Sequence, residues 1–499
     1  MQYPRQFSNR IAVPFCLALL IFVLYIITAP KGLSWDLGGT DGGELAAGVL
    51  LNGLVHSPGY PTYLLLAQLV KPFPIGSFAL RMVIFSALAA AITTGILAHI
   101  SWRQTNQFPI IAAITTAVVW GLNELVWTQA VIVEVYTLAS VFSVTLLLLA
   151  FLLKHQPTAK YWFLGGIVFG VGIGSHYLIG FVAILCGLWL LLQKRLSKYA
   201  LYTIAGTIVG LSVFVWLPLR AGSVPLSNWG NPNTIERFQW VVSGAAYADR
   251  LDLRIDPMRI VSLAQLLFLQ LTPVGFLLAF FGFIHWWEQE KTWMLATLPV
   301  IGLNLWVVAG YTSDDTLPYL YPTILILALA AGAGCSTLLA LLKPRLEQEP
   351  LAVYAIGSLV LILLTGLLIP RTLPMIQQAT TEAEVFSRTI VQNAAPDTII
   401  LSDEGRRSFA LRYAVANEQR MDIVPIDLSL LFYDWYRADV VQQLEIDEPL
   451  DVFDDDVFRM ERLLEALPAD RPIITTLAVV TAPVWLSQNA DGLTYTIER

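Results

Sequence analysis

Residues 38–63 of this chain read GGTDGGELAAGVLLNGLVHSPGYPTY, and they follow an apolar run, residues 11–29, that is long enough to cross a bilayer. The segment sets two carboxylates, Asp41 and Glu44, among glycines, and it places His56 in a turn rich in proline and glycine. Ionisable side chains beside lipid are costly, and they mark candidate functional sites. The remaining sequence has to indicate which side of the membrane these groups face and what they act on.

The composition is that of a polytopic membrane protein. Of 499 residues, 56% are hydrophobic and only 13% are charged, and the mean hydropathy is +0.65. Soluble domains carry roughly 25% charged residues, so about half of the usual charge is missing. About eleven membrane spans are predicted from apolar runs at residues 11–29, 77–100, 108–122, 132–153, 161–175, 177–192, 199–218, 259–283, 292–310, 319–342 and 350–369. The short runs on either side of residues 174–176 could be a hairpin of two spans or one broken helix.

Basic residues in the short loops predict the orientation. If the N-terminus is cytoplasmic, every connection on that side is basic, with Arg103, Lys154, Lys160, Lys194, Arg195, Lys198, Lys291, Lys343 and Arg345. Loops 30–76 and 219–258 and the tail are then expected on the non-cytoplasmic face. The chain has no Asn-x-Ser/Thr acceptor, which favours a bacterial cytoplasmic membrane over a glycosylating secretory pathway.

The tail, residues 371–499, is predicted to be a separate small domain after a membrane domain of residues 1–370. It contains 11 Arg, no Lys and 22 acidic residues, a net charge of −11, whereas the whole chain carries −7. Strands are predicted at residues 398–402, 422–426 and 472–476, and a helix at residues 407–418. Alternating strands and helices indicate an α/β domain with a parallel sheet. The tail has no Gly-rich phosphate loop, so we expect no nucleotide there.

Asp41 and Glu44 are three residues apart, so on a helix they share one face. One interpretation is a capping box, in which Asp41 is the N-cap and Glu44 reaches back to it. The other interpretation is a functional site, because acids at a lipid-rimmed position are functional candidates. The two interpretations are compatible, since one acid can cap the helix while the other faces a cavity.

Four more ionisable residues have both a structural and a functional interpretation. His56 could simply stabilise its turn. Glu134, in WTQAVIVEVYTL near the outer end of a span, needs a partner or a wet cavity, which favours function. His176 could hydrogen-bond a backbone carbonyl at a helix end. Arg220, in WLPLRAG, could extend to the membrane interface or could bind a phosphate through paired hydrogen bonds.

The sequence contains no motif for a bound metal or nucleotide. We find no metal-ligand spacing, nucleophile elbow, Walker loop or dinucleotide fingerprint. Cys16, Cys186 and Cys335 lie in apolar runs and fit neither a disulfide framework nor a zinc site. No cofactor is predicted; a divalent cation stays open, because Asp314 and Asp315 could bind one, although adjacent loop acids are usually just solvated. Catalysis without ATP would need an activated substrate.

The order of these features resembles the GT-C superfamily of polytopic glycosyltransferases, which use lipid-phosphate-linked sugars. The marks are one span, an outer loop with Asp41 and Glu44, and HSPGYP before a second span that opens FALRMVIFSAL. Several blocks of the sequence resemble a bacterial membrane family that is related to an animal protein O-mannosyltransferase. They are DGGELAAG, HSPGYPTY, WTQAVIVEVYTL, WLPLRAG, NWGNPNTIERF and residues 396–431 of the tail. One departure from the better-known O-mannosyltransferases is that the acids are spaced Asp-x-x-Glu rather than adjacent.

The resemblance implies an enzyme that moves a sugar from a polyprenyl-phosphate donor to an acceptor hydroxyl on a protein, a glycan or a lipid. It implies that Asp41 is the general base, with Glu44 as the second catalytic acid. Arg220 is expected to stabilise the leaving phosphate, and inversion at the anomeric carbon is expected. The expected substrate-binding residues are His56, Tyr60, Glu134, Tyr136, His176, Arg220, Asn228 and Trp229. Membrane lipids are expected partners, and nucleic acid is not.

Two other functions fit part of the pattern. Buried acids and broken helices also mark ion-coupled secondary transporters. However, the sequence has no evident inverted repeat, and its acids cluster at the outer surface rather than in the middle of the bilayer. The third possibility is a non-catalytic partner in envelope polysaccharide assembly.

Overall fold

The computed structural model describes residues 3–252, 254, 256–313, 316–346, 350–455, 457–477 and 485–498. The helices up to the start of the tail are α1 (Tyr3–Thr28), α2 (Gly42–Leu51), α3 (Pro61–Ala67), α4 (Phe78–Gln104), α5 (Pro109–Gly121), α6 (Glu124–Ala130), α7 (Tyr136–His155), α8 (Ala159–Ile173), α9 (Ile179–Leu192), α10 (Leu201–Leu211), α11 (Trp216–Arg220), α12 (Ile235–Ser243), α13 (Pro257–Gln289), α14 (Lys291–Gly310), α15 (Tyr321–Leu342) and α16 (Pro350–Gln378). The fold of this part is all-α, as predicted.

The predicted apolar runs all coincide with apolar helices. Within the described residues, eight helices are long and apolar enough to cross a membrane. The pair α5 and α6, bent by 66° at a short break, would make a ninth span. The two remaining runs form α8 and α9, which are shorter apolar helices. Residues 174–178 separate α8 from α9, and this break agrees with both predicted alternatives, a hairpin and one broken helix.

The tail contains the predicted α/β structure. Its elements are α17 (Glu382–Asn393), β1 (Ile399–Ser402), α18 (Gly405–Asn417), β2 (Val424–Asp427), α19 (Asp434–Leu444), β3 (Phe453–Asp454), β4 (Val457–Phe458), α20 (Met460–Ala466), β5 (Ile473–Thr475), β6 (Trp485–Gln488) and β7 (Tyr495–Glu498). The five-stranded sheet has the order β2-β1-β5-β7-β6. The three predicted strands, β2, β1 and β5, are parallel to one another, and β7 and β6 add an antiparallel edge that we did not predict.

The helices of the tail pack directly on the membrane domain. A Cβ atom on Gly43 of α2 would lie 2.6 Å from the carbonyl carbon of Phe409, so α2 and α18 touch backbone to backbone. The Glu384 carboxylate accepts hydrogen bonds from the backbone N of Leu33 at 2.7 Å and from the Ser77 hydroxyl at 3.1 Å.

Helix α16 continues to Gln378. The predicted boundary at residue 370 therefore lies inside a helix.

Candidate active site

The start of α2 separates the roles of its two acids. Asp41 is the N-cap residue of α2, but its carboxylate makes no capping hydrogen bond. Glu44, in the first turn, turns its carboxylate toward His56 instead of back toward Asp41. The structure therefore does not form the capping box that the spacing suggested.

The HSPGYP turn brings His56 back against α2. Gly59 and Tyr60 adopt left-handed backbone conformations, with φ of 86° and 39°, and Pro61 opens α3, where its missing N–H costs no hydrogen bond. The backbone N of His56 donates to Oε1 of Glu44 at 3.0 Å, and its ring Nδ1 donates to Oε2 at 2.5 Å. Both oxygens of Glu44 are thus bound by one residue.

His56 lies between two carboxylates. Its Nε2 is 3.6 Å from Oδ2 of Asp41, on the opposite side of the ring from Glu44. Burial alone would lower the pKa of His56, but Glu44 and Asp41 outweigh that effect and raise the pKa to about 10. Glu44 is only 2% exposed, whereas the side chain of Asp41 is 27% exposed. The protonated ring of His56 is therefore held by the buried carboxylate of Glu44 and lies beside the more accessible carboxylate of Asp41.

Asp41 lines a cavity of about 1140 Å³ where the membrane domain meets the tail. Loops 30–76 and 219–258, the segment from Tyr311 to Tyr319, and the tail all contribute to its wall. The two loops and the tail are segments that the sequence placed on the same face of the membrane. Of the predicted site residues, the cavity lining includes Asp41, His56, Tyr60, His176 and Trp229.

Aromatic rings form one wall of this cavity. The ring of His176 stacks on Tyr60 at 5.9 Å and contacts Tyr319 at 5.3 Å and Tyr136 at 5.1 Å between ring centroids. Nδ1 of His176 accepts a hydrogen bond from the backbone N of Leu178 at 3.2 Å. Tyr136 therefore supports the wall through His176, although it is not itself part of the cavity lining.

Glu134 lies behind the cavity. It is 5% exposed, and its Oε2 accepts a hydrogen bond from the backbone N of Val135 at 3.2 Å. Its negative charge helps to raise the pKa of His56 and of Tyr60. Glu134 therefore contributes electrostatically to the site without facing the cavity.

Like Glu134 and Tyr136, the predicted substrate-binding residues Arg220 and Asn228 are not part of the cavity lining. Nε of Arg220 donates to the backbone O of Asn52 at 2.7 Å, and its guanidinium lies 5.6 Å from the centroid of the Trp216 ring. Asn228 accepts a hydrogen bond from the backbone N of Gly222 at 2.9 Å and donates to Asp439 of α19 at 2.8 Å. Both side chains hold the loop 219–258 in place.

The cavity contains two arginines that the sequence analysis did not select, Arg250 and Arg406. The guanidinium of Arg250 lies 4.7 Å from the Tyr247 ring centroid, and Nη1 donates to the Ser313 hydroxyl at 3.3 Å. Arg406, from the tail, forms an ion pair with Glu404. Nothing in the sequence distinguishes Arg250 from the other arginines of residues 219–258, because its position depends on pairing with the distant segment 310–312.

An apolar groove lies on the other side of α14. It has a volume of about 950 Å³ and is formed by α13 and α14, with lining residues that include Leu267, Phe268, Leu305 and Trp306. Val307, the next residue of α14, lines the first cavity instead. Adjacent residues of α14 therefore line the apolar groove and the first cavity.

The described residues provide no metal centre. Among them, no three His, Cys, Asp or Glu side chains are grouped so that they could hold an ion. Asp314 and Asp315, the candidate cation ligands, lie outside the described residues.

Comparison with known sequences identifies one family segment. Residues 41–200 match the family model described as the Protein O-mannosyl-transferase TMEM260 N-terminal domain. The mouse (Mus musculus) protein O-mannosyl-transferase TMEM260 is 27% identical over 231 residues, which are 44% of this chain and 32% of the mouse protein. The chain thus matches about a third of the length of this curated relative.

Similar solved structures extend over nearly the whole chain. ArnT from Cupriavidus metallidurans bound to undecaprenyl phosphate is 11% identical, with a TM-score of 0.63 and coverage of 98% of both chains. The archaeal oligosaccharyltransferase AglB from Archaeoglobus fulgidus, in complex with an inhibitory peptide and a dolichol-phosphate, is 10% identical, with a TM-score of 0.57 and coverage of 95% of this chain and 70% of that one. Identities this low establish the fold alone. The resemblance noted in the sequence is confirmed: the chain has the GT-C fold of polytopic membrane glycosyltransferases, and its residues 41–200 match the TMEM260 N-terminal domain.

Proposed function

We propose that this integral membrane protein is a glycosyltransferase that moves a sugar from a polyprenyl-phosphate donor to an acceptor hydroxyl on the non-cytoplasmic face of a bacterial cytoplasmic membrane. The observation that carries the proposal is the accessible carboxylate of Asp41, which faces a cavity of about 1140 Å³. The mouse relative is a protein O-mannosyl-transferase, so the finer proposal is mannose transfer to a protein hydroxyl.

Asp41 is the general base of the proposed reaction. The acceptor oxygen forms a bond to C1 of the sugar, its proton passes to Asp41, and the bond between C1 and the phosphate oxygen breaks. Glu44 does not take this proton, because both of its oxygens are bound by His56. The positive charge of His56 instead favours the ionised form of Asp41, 3.6 Å away, before the acceptor arrives.

Arg250 is the proposed partner of the leaving phosphate. The phosphate departs with its negative charge and needs electrostatic stabilisation more than a proton. Arg250 lines the cavity, and its backbone O accepts a hydrogen bond from the backbone N of Thr312 at 2.8 Å, which fixes the loop that carries it. Arg220 was the candidate from sequence, but its guanidinium is directed at Asn52.

The apolar groove is the proposed site of the donor lipid. Phe268 and Trp306 in its lining are 42% and 41% exposed, so the groove is open on the surface that lies in the bilayer. ArnT, which shares the fold, was solved with undecaprenyl phosphate. A polyprenyl chain in this groove would bring its phosphate past the last turns of α14 to the cavity.

Tyrosines are proposed to bind the sugar. Burial raises the pKa of Tyr60 and of Tyr247 well above the ordinary value, and the nearby Asp41 adds to the effect. A tyrosine hydroxyl is protonated at neutral pH even without such a shift, and it can donate a hydrogen bond to a sugar oxygen.

Reconstitution with a labelled donor tests the proposal. Purified protein in liposomes is supplied with labelled polyprenyl-phosphate mannose and a peptide rich in Ser and Thr, and we expect label on the peptide. Movement of label across the bilayer without transfer would indicate the transporter instead. If neither transfer nor flux is observed with any lipid-linked sugar, the non-catalytic assembly partner is the better interpretation.

A further inference from the structure

Two buried residues of the tail helix α19 contact the loop 219–258. Trp435 and Asp439 are four residues apart and therefore lie on one face of α19, and they are 4% and 2% exposed. They meet two adjacent residues of the loop, Asn228 and Trp229, which are 3% and 7% exposed. The proposed reaction assigns no role to either residue of α19.

The contact between Asp439 and Asn228 is a buried hydrogen bond. Nδ2 of Asn228 donates to Oδ1 of Asp439 at 2.8 Å, and Oδ1 of Asn228 accepts from the backbone N of Gly222 at 2.9 Å. A buried amide that loses one of its partners destabilises the fold, because water cannot replace that partner. Asp439 therefore fixes the side chain of Asn228 from the side of the tail.

Trp435 extends this contact to His56. The ring centroids of Trp435 and Trp229 are 5.5 Å apart, and the Trp229 ring lies 6.2 Å from the His56 ring at an angle of 79°. Edge-to-face packing of this kind is favourable between aromatic rings. Trp229 also packs in the hydrophobic core of the tail, together with Trp435 and Leu431. The ring that contacts His56 is thus held by the tail.

Backbone pairing ties the same loop to the turn that carries His56. The backbone N of Leu54 donates to the backbone O of Ser227 at 2.6 Å, and the Ser227 hydroxyl donates to the backbone O of Leu54 at 3.0 Å. Leu54 also forms an isolated β-bridge with Asn228. A Cβ atom on Gly53 would lie 2.5 Å from the backbone O of Ser227, so the two segments touch closely. Because Leu54 precedes His56 by two residues, a displaced loop would displace the turn.

We propose that Asp439 and Trp435 are positioning residues, through which the tail helix α19 holds the ring of His56 in place. Asn228 and Trp229 transmit the contact from α19 to the turn. Neither residue of α19 is part of the cavity lining, so their effect passes through the loop. The link to catalysis rests on the proposed glycosyltransferase function, whereas the effect on the turn does not.

Hydrogen–deuterium exchange of the whole chain in detergent tests the contact without any assay of activity. In Asp439→Leu, Asn228 loses its acceptor, and we expect faster exchange in the peptide that covers residues 53–60. This peptide contains the hydrogen-bonded amides of Leu54 and His56. The strands of the tail sheet should exchange as they do in the wild type, which shows that the tail is folded.

Two further variants are matched controls. Asp439→Asn keeps the oxygen that accepts from Asn228, and Oδ2 of Asp439 makes no hydrogen bond to any described residue. Burial raises the pKa of Asp439 to about 7, so a neutral amide is a close replacement for its carboxyl group. Asp434→Leu makes the same substitution on α19 at a side chain that is 70% exposed, where the ion pair with Arg237 contributes little. Both controls should exchange as the wild type does.

The kinetics of sugar transfer test the link to catalysis. Asp439→Leu should lower kcat by about tenfold to a hundredfold, because a small misplacement caused by a remote substitution can cost that much. The donor KM should change little, since Asp439 does not line the cavity. Asp439→Asn should restore most of kcat. Trp435→Leu should act like Asp439→Leu, and Trp435→Phe, which keeps an aromatic ring, should have a smaller effect.

A smaller substitution covers the case in which Asp439→Leu does not fold. Ser227→Ala removes only the hydroxyl that donates to Leu54. It should speed exchange in residues 53–60 and lower kcat in the same direction as Asp439→Leu, with a smaller size.

The outcomes separate the two proposals. Unchanged exchange of residues 53–60 in Asp439→Leu, or in Ser227→Ala where the first variant does not fold, overturns the positioning role. An equal loss of kcat in Asp439→Asn and Asp439→Leu, or a raised donor KM with unchanged kcat, overturns it too. A wild-type protein that transfers no sugar overturns the glycosyltransferase proposal, and the exchange result still decides whether α19 holds the turn of His56.

Discussion

Glu44 accepts two hydrogen bonds from a single residue, His56, one from the backbone N at 3.0 Å and one from ring Nδ1 at 2.5 Å. This pairing explains why two acids only three residues apart have different environments. Glu44 is buried and both of its oxygens are hydrogen-bonded to His56, whereas Asp41, on the far side of the imidazole, lines the cavity. The predictions below depend on this division.

Replacing Asp41 with Asn should abolish most sugar transfer. The substitution preserves size and removes the proton acceptor, and a positioned general base contributes roughly 10²–10⁴-fold to a rate. The measurement is the initial rate of transfer from a labelled lipid donor, with thermal unfolding as a check on folding. Asp451→Asn serves as the control, because this side chain is 83% exposed on the tail. Full activity in Asp41→Asn would exclude Asp41 as the base.

The stability of the protein should fall as pH rises through the titration of His56. The pKa of His56 is raised from 6.5 to about 10 in the folded state by Glu44 and Asp41 against the effect of burial. Its stabilising contribution is therefore fully present below pH 6.5 and is lost as pH approaches 10. Thermal unfolding from pH 6 to 10 should show a flatter profile for His56→Gln than for wild type. An equal slope in both would contradict the charged state of His56, and the exposed His155→Gln is the control.

Arg250→Ala should raise the donor KM. A hydrogen bond to a charged group contributes roughly 1.5–3 kcal/mol, which corresponds to a loss of affinity of about tenfold or more. Arg220→Ala is the comparison, because its guanidinium binds the Asn52 carbonyl rather than facing the cavity. If donor affinity falls in Arg220→Ala and not in Arg250→Ala, the assignment made from sequence is the better one.

Filling the apolar groove should weaken the use of long-chain donors. Gly302 lines the groove, and a Cβ atom built there meets nothing within 4 Å, so Gly302→Trp can place its ring in the groove. We expect a higher KM for a long polyprenyl donor and little change for a short-chain analogue, since only the long chain needs the groove. Gly187→Trp is the matched control, because Gly187 also has open space around it and lies on α9, away from the groove. Equal effects on both donors would place the lipid elsewhere.

Residue 40 should be accessible from the non-cytoplasmic side. Thr40 lines the cavity beside Asp41, so Thr40→Cys in a Cys16→Ser background should react with a membrane-impermeant thiol reagent in intact cells. Cys186 and Cys335 are buried and should remain unlabelled. If Thr40→Cys is labelled only after the cytoplasmic side is made accessible to the reagent, the proposed orientation is wrong. Asp41 would then not be in contact with an external acceptor.

Much of the fold could be predicted from the sequence because its signals are local. A long apolar run specifies a membrane helix wherever it occurs, and the eleven runs all became helices. The strands around Ile400, Ile426 and Ile474 were recognisable because buried parallel strands are short apolar runs bounded by turns. The antiparallel edge formed by β6 and β7 was missed, because their residues, WLSQ and YTIE, are not apolar runs like those of the other three strands.

The candidate site was predictable only in part. Asp41, His56 and Trp229 stood out because charged and aromatic residues beside glycine and proline interrupt an apolar sequence. The sequence suggested Arg220 as the phosphate-binding residue, whereas Arg250 lines the cavity. The position of Arg250 depends on how residues 250–252 pair with residues 310–312, which the sequence does not show.

The amino-acid sequence by itself determined that this chain spans a membrane many times, that its tail is an α/β unit and that ionisable groups gather near the end of the first span. These properties follow from the hydrophobicity and period of neighbouring residues. Only the tertiary structure decided that both oxygens of Glu44 are bound by His56, that Asp41 lines the cavity and that helix α18 of the tail packs on α2 at Gly43. The burial and charge state of an ionisable group are set by the atoms around it, and here those atoms come from segments hundreds of residues apart.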